Sequence, residues 1–336
     1  MDHVLRRALA EAKLGYDSVV GRGVAFQHQP LGRHVDPTGL AGYYFDLRHK
    51  AKDASKYADG IPRDALGRKA DWPIPVAQAA LGYWELRLEG HDVDRQFLAL
   101  ADWFVEQAVP AAGGLVWRCN LAVPKYGLSA GWPSALAQSE AISVLLRAQV
   151  LTGATRYGEA AQAGLAPLRT PVAEGGVATE VDGQLVLEEY PTATPAAVLN
   201  GWIVGLLGVH ELATATGDAR ARGLLEESVS GLLTLLPRYD YGWWSLYSLY
   251  DHGAPDLAKP FYQRFHPVLL RALDLVRPDD RFRAMAMRWE RQITRLALLR
   301  VSVNKLRFRL TRAPSSGREP GETGPCWRKR GAAPGA

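Results

Sequence analysis

Two carboxylates and a phenol stand side by side at Glu188, Glu189 and Tyr190, directly before Pro191 and a long apolar segment. Carboxylates and phenols can accept and donate protons, so this group could carry acid–base chemistry. The alternative is an ordinary loop, because acidic side chains also favour the N-terminus of a following helix through its dipole. Taken alone, the stretch is more typical of such a loop.

Four further clusters combine aromatic rings with charged or polar groups. They are Gly42–His49, the group Trp132, Gln138 and Glu140, the segment Tyr239–His252, and the segment Lys259–Leu273. Their rings suit either a core or a groove that stacks on sugars, and histidines such as His252 and His266 are more often structural than catalytic. The sequence contains no P-loop, GxSxG elbow or dinucleotide fingerprint. What remains is acid–base chemistry on a ligand held by rings and arginines.

These clusters must be positioned by helices, because four segments share a helix–turn–helix pattern. In the first three, the turn carries Gly90, Gly153 and Gly217, spaced by roughly 63 residues, as in a helical repeat. Glycine ends a helix readily because it adopts the left-handed cap conformation. In the fourth segment, 278–280 (Pro-Asp-Asp) provides the stop and the N-cap.

The first helix of each hairpin is apolar on most of its surface, and the second is amphipathic, which predicts inner and outer helix layers. Stacked hairpins of this kind form an open solenoid or a closed toroid. We predict a mainly α fold, an (α/α) toroid or barrel of helical hairpins. Residues 113–134 and 175–191 predict short β-hairpins at its rim. All five clusters lie on rim segments or before inner helices, where functional residues are common.

The chain divides into three predicted parts. Residues 1–70 have no helical period and are expected to wrap the surface of the same domain. Residues 71–312 form the (α/α) barrel. Residues 313–336 are basic and poor in apolar side chains, which predicts a disordered tail.

The composition excludes several classes of protein. Among 336 residues, 47% are hydrophobic and 22% charged, and the net charge is +5, which is typical of a soluble globular protein without a nucleic-acid motif. The only cysteines, Cys119 and Cys326, exclude a disulfide scaffold and a cysteine-ligated zinc site. No signal peptide and no apolar run of about 18 residues occurs, so we expect a cytoplasmic protein without a membrane span. We expect no metal and no cofactor.

Four strings carry a resemblance to a known family. They are "AGWPSALAQSEAISVLLRAQVLTG", "LEEYPTATPAAVLNGWIVGLLGVHEL", "YDYGWWSLYSLYD" and "FYQRFHPVLLRALDL". Over Trp117 to Leu273 the chain resembles the C-terminal catalytic domain of the D-glucuronyl C5-epimerases. The resemblance implies an (α/α) barrel, interconversion of glucuronate and iduronate units in a polysaccharide, and a homodimer. It also implies that a glutamate and tyrosines exchange the C5 proton.

Carried over by motif, the resemblance implies catalytic roles for Glu189, Tyr190, Tyr247 and Tyr262. In the animal enzymes an arginine follows the tyrosine of the glycine-led segment, whereas this chain has Tyr250 there. Arginines elsewhere would then neutralise the substrate carboxylate. The residues expected to contact substrate are Arg48, Arg118, Trp132, Gln138, Asn200, Trp244, Arg264 and His266.

Two other functions fit the same sequence. A polysaccharide lyase shares the proton abstraction, and a glycoside hydrolase would need Glu140 or Asp240 as a second carboxylate beside Glu189. A non-catalytic glycan-binding protein would keep the fold and lose the chemistry.

Overall fold

The computed structural model of the chain describes residues 29–63 and 72–311. The predictions for the N-terminal end and for the disordered basic tail lie outside these residues. The helices are α1 (Arg48–Ala54), α2 (Pro73–Leu88), α3 (Asp94–Gln107), α4 (Ala135–Thr152), α5 (Thr155–Ala163), α6 (Leu165–Arg169), α7 (Leu199–Thr216), α8 (Ala219–Leu235), α9 (Pro260–Val276), α10 (Asp280–Arg291) and α11 (Arg295–Thr311). The strands are β1 (Val109–Ala111), β2 (Gly114–Val116), β3 (Ala178–Val181) and β4 (Gln184–Leu187).

The hairpin turns lie where the sequence predicts them. Gly153 and Gly217 end α4 and α7 with φ angles of 70° each, in the left-handed region that glycine tolerates. The fourth turn uses Asp279, whose side chain accepts a hydrogen bond from the backbone N–H of Arg281. The mainly helical fold and the positions of its hairpins are therefore confirmed.

The first helix of each hairpin packs against the next first helix along the chain. Helix α2 contacts α4, α4 contacts α7, and α7 contacts α9, while α3, α5, α8 and α10 each pack against the first helix of their own hairpin. Residues 135–148 of α4 are all buried, so this helix has no solvent face over that range. Such all-round burial matches the predicted inner layer.

The segment before α1 carries buried aromatic side chains. Residues 43–45 and Leu47 are buried in the main hydrophobic core. The Phe45 ring lies 5.0 Å from that of Phe265 in α9, and the Tyr44 hydroxyl lies 2.8 Å from His210 Nδ1 of α7. These aromatic residues therefore anchor the segment to α7 and α9, while the prediction that residues 1–70 wrap the domain stays a prediction.

Two short antiparallel hairpins connect the helices. Strand β1 pairs with β2 from Val109↔Val116 to Ala111↔Gly114, and β3 pairs with β4 from Ala178↔Leu187 to Val181↔Gln184. The hairpin predicted in 175–191 is present and leads directly into Glu188. The first hairpin spans 109–116, so it begins before the predicted range 113–134, where the remaining pairing is limited to the isolated bridges Cys119↔Trp132 and Val123↔Leu128. Over 29–63 and 72–311, none of the helices combines the length and apolar character needed to cross a bilayer.

Candidate active site

Strand β4 delivers Glu188 and Glu189 to the N-terminal end of α4. The backbone N–H of Ala135 donates to the Glu188 carbonyl at 2.8 Å. The Glu188 carboxylate accepts backbone N–H groups from Ala196 and Ala197 at 2.9 and 3.0 Å. Ala197 has φ 45°, a left-handed conformation that is costly for a residue with a Cβ. Glu188 therefore stabilises the bend that leads into α7.

The Glu189 side chain is the buried carboxylate at the centre of the candidate site. It is only 4% exposed, and Asn200 Nδ2 donates to its Oε2 at 3.1 Å. Burial raises the pKa of Glu189 to about 7, although hydrogen bonds from Tyr190, Asn200 and Tyr247 and the charge of Lys125 favour the ionised form. A carboxyl group with this pKa can take a proton near neutral pH and also release it.

Two groups of aromatic rings neighbour this carboxylate. In the first, Tyr190 stacks on Tyr126 with ring centroids 4.5 Å apart and lies 5.3 Å from Trp132. In the second, the rings of Tyr247 and Tyr262 are 4.8 Å apart. The two tyrosine pairs come from loops and helices that are distant in sequence.

The three tyrosines nearest the carboxylate are strongly biased towards the protonated form. Burial and then the negative charge of Glu189 raise the pKa of Tyr190 and of Tyr247 far above the usual value for a phenol. The same two causes raise the pKa of Tyr262 to about 12. Neutral phenols beside an ionisable carboxylate provide proton donors next to a proton acceptor.

The four predicted catalytic residues therefore lie in one cluster, although their roles stay predictions. Two predicted substrate contacts, Trp132 and Asn200, lie in the same cluster through their contacts with Tyr190 and Glu189.

Three other predicted contacts have polar groups that serve the fold. The Gln138 amide donates to the carbonyls of Leu115 and Gly164 at 2.5 and 3.0 Å. Trp244 Nε1 donates to the Ala258 carbonyl at 2.9 Å. His266 is fully buried, and burial lowers its pKa to about 3.

The predicted arginines are spread over the molecule. Arg48 forms ion pairs with Asp46 and Glu89, and exposed Arg118 donates to the carbonyl of Gly131 at 2.8 Å. Arg264 lies in α9, where partial burial lowers its pKa. The carboxylates of Asp46 and Glu89 that hold Arg48 thus do not belong to the Glu189 cluster.

Lys125 is the cation that the sequence interpretation missed. Its Nζ lies 5.1 Å from the ring centroid of Tyr247 and 4.9 Å from that of Tyr126. Its signal in the sequence is that no other basic residue occurs between Arg118 and Arg147. A single charge in an otherwise uncharged loop segment is informative, because burying part of a lysine costs free energy unless its charge is paired.

Glu140 is a second buried carboxyl group, on inner helix α4. Gln78 Nε2 donates to its Oε1 at 3.3 Å, and its Oε2 has no hydrogen-bond partner among the described residues. Burial, with a smaller contribution from the charge of Glu189, raises the pKa of Glu140 to about 8. The group is therefore largely protonated at neutral pH.

A cleft of about 410 Å³ adjoins the tyrosine cluster. Tyr250 and Asp256 line it together with Arg238 and Tyr241, and the Tyr250 ring is 5.5 Å from that of Tyr126. Within 29–63 and 72–311, no group of three His, Cys, Asp or Glu side chains is arranged to hold a metal ion.

The chain is similar to proteins of one described family. The family model described as the D-glucuronyl C5-epimerase C-terminus matches residues 113–291. A D-glucuronyl C5-epimerase of Caenorhabditis elegans is 32% identical over 209 residues, which cover 57% of this chain and 34% of the relative. An uncharacterised protein of Methanocaldococcus jannaschii is 34% identical over 142 residues, which cover 41% of this chain and 46% of the relative. The matched regions thus span less than half the length of these relatives.

Proposed function

The chain belongs to the D-glucuronyl C5-epimerase family, because residues 113–291 match the C-terminal region of these enzymes, and we propose that it inverts C5 of hexuronate units in a glycan. The reaction interconverts D-glucuronate and L-iduronate. The observation that carries this proposal is the buried Glu189 carboxyl group, which accepts a hydrogen bond from Asn200 and has a pKa of about 7 beside Tyr190 and Tyr247. The epimerase of Caenorhabditis elegans supports the choice of glucuronate as substrate.

The proposed reaction begins when Glu189 removes the C5 proton. The C5–H bond breaks, its electron pair moves into the adjacent carboxylate, and the result is an enediolate dianion. A base with a pKa of about 7 is suited to this step, because about half of it is ionised at neutral pH and it binds a proton more strongly than an ordinary carboxylate does.

A phenol then protonates C5 from the opposite face. We assign this acid to Tyr262, because its ring lies 4.8 Å from that of Tyr247 and burial raises its pKa to about 12, which keeps the phenol protonated. Tyr247 lies next to Tyr262, with ring centroids 4.8 Å apart, and its hydroxyl favours the ionised form of Glu189. A proton can thus return from Glu189 through Tyr247 to the Tyr262 phenolate, which restores the resting state.

The proposed architecture is an (α/α) toroid formed by residues 71–312, with the site at one mouth. The contact sequence from α2 through α4 and α7 to α9, and the contact between Phe45 and Phe265, support a ring of inner helices. The cleft beside Tyr250 would receive the neighbouring sugar of the glycan, since exposed aromatic faces suit sugar rings.

The test is deuterium exchange at C5. Glucuronate-containing oligosaccharides incubated with the protein in D₂O should gain deuterium at C5 and form iduronate units, both measured by NMR. Glu189→Gln should lower the exchange rate by about a hundredfold or more, as expected on losing a general base, while circular dichroism shows the fold retained. A panel of uronate polymers without any exchange would refute the proposal. Formation of an unsaturated uronate product would instead show that the protein is a lyase.

A further inference from the structure

The proposed reaction requires positive charge beside the substrate. Loss of the C5 proton adds a second negative charge next to a carboxylate, and the transition state is stabilised by a cation fixed where that charge develops. Arg48 and Arg118, expected from the sequence to supply this charge, bind Asp46, Glu89 and the Gly131 carbonyl. The Glu189 cluster itself contains another cation, Lys125, which borders the Tyr247 ring.

Lys125 occupies the position that this requirement describes. It lies in the short 3₁₀ turn Pro124–Tyr126, which is closed by a backbone hydrogen bond of 2.8 Å from Val123 to Leu128. Its ammonium group borders the ring of Tyr247, and the adjacent Tyr126 stacks on Tyr190. The side chain is 36% exposed, so an incoming ligand can reach it.

Asp256 holds the ammonium group in place. Its Oδ2 lies 2.7 Å from Lys125 Nζ and accepts a hydrogen bond from Ser248 Oγ at 2.6 Å. The Asp256 carbonyl also accepts the backbone N–H of Tyr247 at 2.6 Å. One residue thus fixes both the cation and the backbone of a tyrosine that contacts Glu189, while an ammonium group has three donors and can bind further oxygens.

We propose that Lys125 binds the carboxylate of the reacting uronate unit and stabilises the enediolate, with Asp256 as its positioning residue. This inference rests on the proposed function and assigns the substrate class: hexuronates with a free carboxylate. Before substrate binds, Asp256 compensates the charge of Lys125. With the substrate present, the lysine faces the carboxylate on one side and Asp256 on the other.

The first test measures affinity by calorimetry for a glucuronate oligosaccharide and for its carboxyl-reduced, neutral counterpart. Lys125→Met should weaken binding of the uronate by about tenfold or more and leave binding of the neutral sugar unchanged. Lys125→Arg should keep most of the preference for the uronate. Lys52→Met, which removes an exposed lysine of α1, is the matched control and should bind both ligands as the wild type does.

A second readout separates this role from a structural one. Because Lys125 favours ionisation of Glu189, Lys125→Met should move the acidic limb of the pH–rate profile for C5 exchange to higher pH. A loss of folding alone would lower the rate at every pH without moving the limb.

The outcomes distinguish the two proposals. If Lys125→Met discriminates between the uronate and the neutral sugar as well as the wild type does, the carboxylate-binding role is wrong. If the wild type exchanges no C5 proton but prefers uronates in a Lys125-dependent way, the carboxylate site stands and the epimerase proposal fails. Exchange by the wild type that Lys125→Met leaves intact refutes only the role of Lys125.

Discussion

Gly201 leaves the space that the Glu189 side chain occupies. A Cβ built on Gly201 would lie 2.3 Å from Glu189 Cβ and 2.5 Å from its Oε2, which is closer than real Cβ atoms approach other atoms. The absence of a side chain therefore lets α7 run directly beneath the carboxylate. This glycine is required by a close approach between two elements and not by its own backbone angles.

Gly201→Ala should displace the carboxylate and reduce C5 exchange by about a hundredfold, the cost of a misplacement of roughly 1 Å in a reacting group. The matched control is Gly205→Ala, one turn later on the same helix. Its Cβ would meet neighbours at 3.4 Å or more, an ordinary contact. Equal exchange rates in the two variants would show that the packing beneath Glu189 does not matter.

Tyr262→Phe should separate proton exchange from inversion. Glu189 could still remove the C5 proton of glucuronate and return a deuteron to the same face, but the acid on the opposite face would be missing. We expect deuterium to enter glucuronate while iduronate formation falls by about a hundredfold or more. NMR of both products in D₂O measures the ratio. Loss of exchange and inversion in equal measure would contradict the assignment of Tyr262 as the acid.

The rate should depend on pH through Glu189. Since its pKa is about 7, kcat/KM for C5 exchange should rise with pH up to about 8 and then level off, because the base acts when ionised. The pKa of about 12 for Tyr262 places loss of the acid beyond this range.

Asn200→Ala should move this limb to higher pH, since the Asn200 amide donates to Glu189 Oε2 and favours the carboxylate. If the acidic limb of the pH–rate profile does not move in Asn200→Ala or in Glu189→Gln, the group that titrates there is not Glu189.

Glu140 should make the folded state less stable as pH rises. Its pKa is about 8 in the folded protein and about 4.5 in a free chain, so between these values the folded state binds more protons than the unfolded state. The free energy of unfolding therefore falls from about pH 4.5 to pH 8 and is constant above that.

Glu140→Gln removes this contribution, so its stability should fall less steeply with pH than that of the wild type. Urea unfolding at pH 5 and pH 8 measures the difference, which should reach a few kcal/mol, at about 1.4 kcal/mol per pKa unit. Glu174→Gln, on an exposed turn, is the control and should leave the slope unchanged. Parallel stability curves for wild type and Glu140→Gln would contradict the prediction.

The helical layout could be read from the sequence because its signals are local. Gly153 and Gly217 mark helix ends through their own backbone conformation, and the all-round apolar character of α4 marks an inner helix. The aromatic segment before α1 could not be placed in the same way. Tyr43–Phe45 shows no periodicity, and its burial depends on contact with α9, more than two hundred residues away in the chain.

The sequence by itself determined the family, the hairpins and the identity of Glu189 with its neighbouring tyrosines, since short motifs and local periodicity carry that information. Only the tertiary structure decided which cation belongs to the cluster. Lys125 reaches Tyr247 and Asp256 across more than one hundred residues of chain, and charge acts through space without regard to sequence distance. Burial, which also depends on the tertiary structure, raises the pKa of Glu189 to about 7, a value suited to proton transfer.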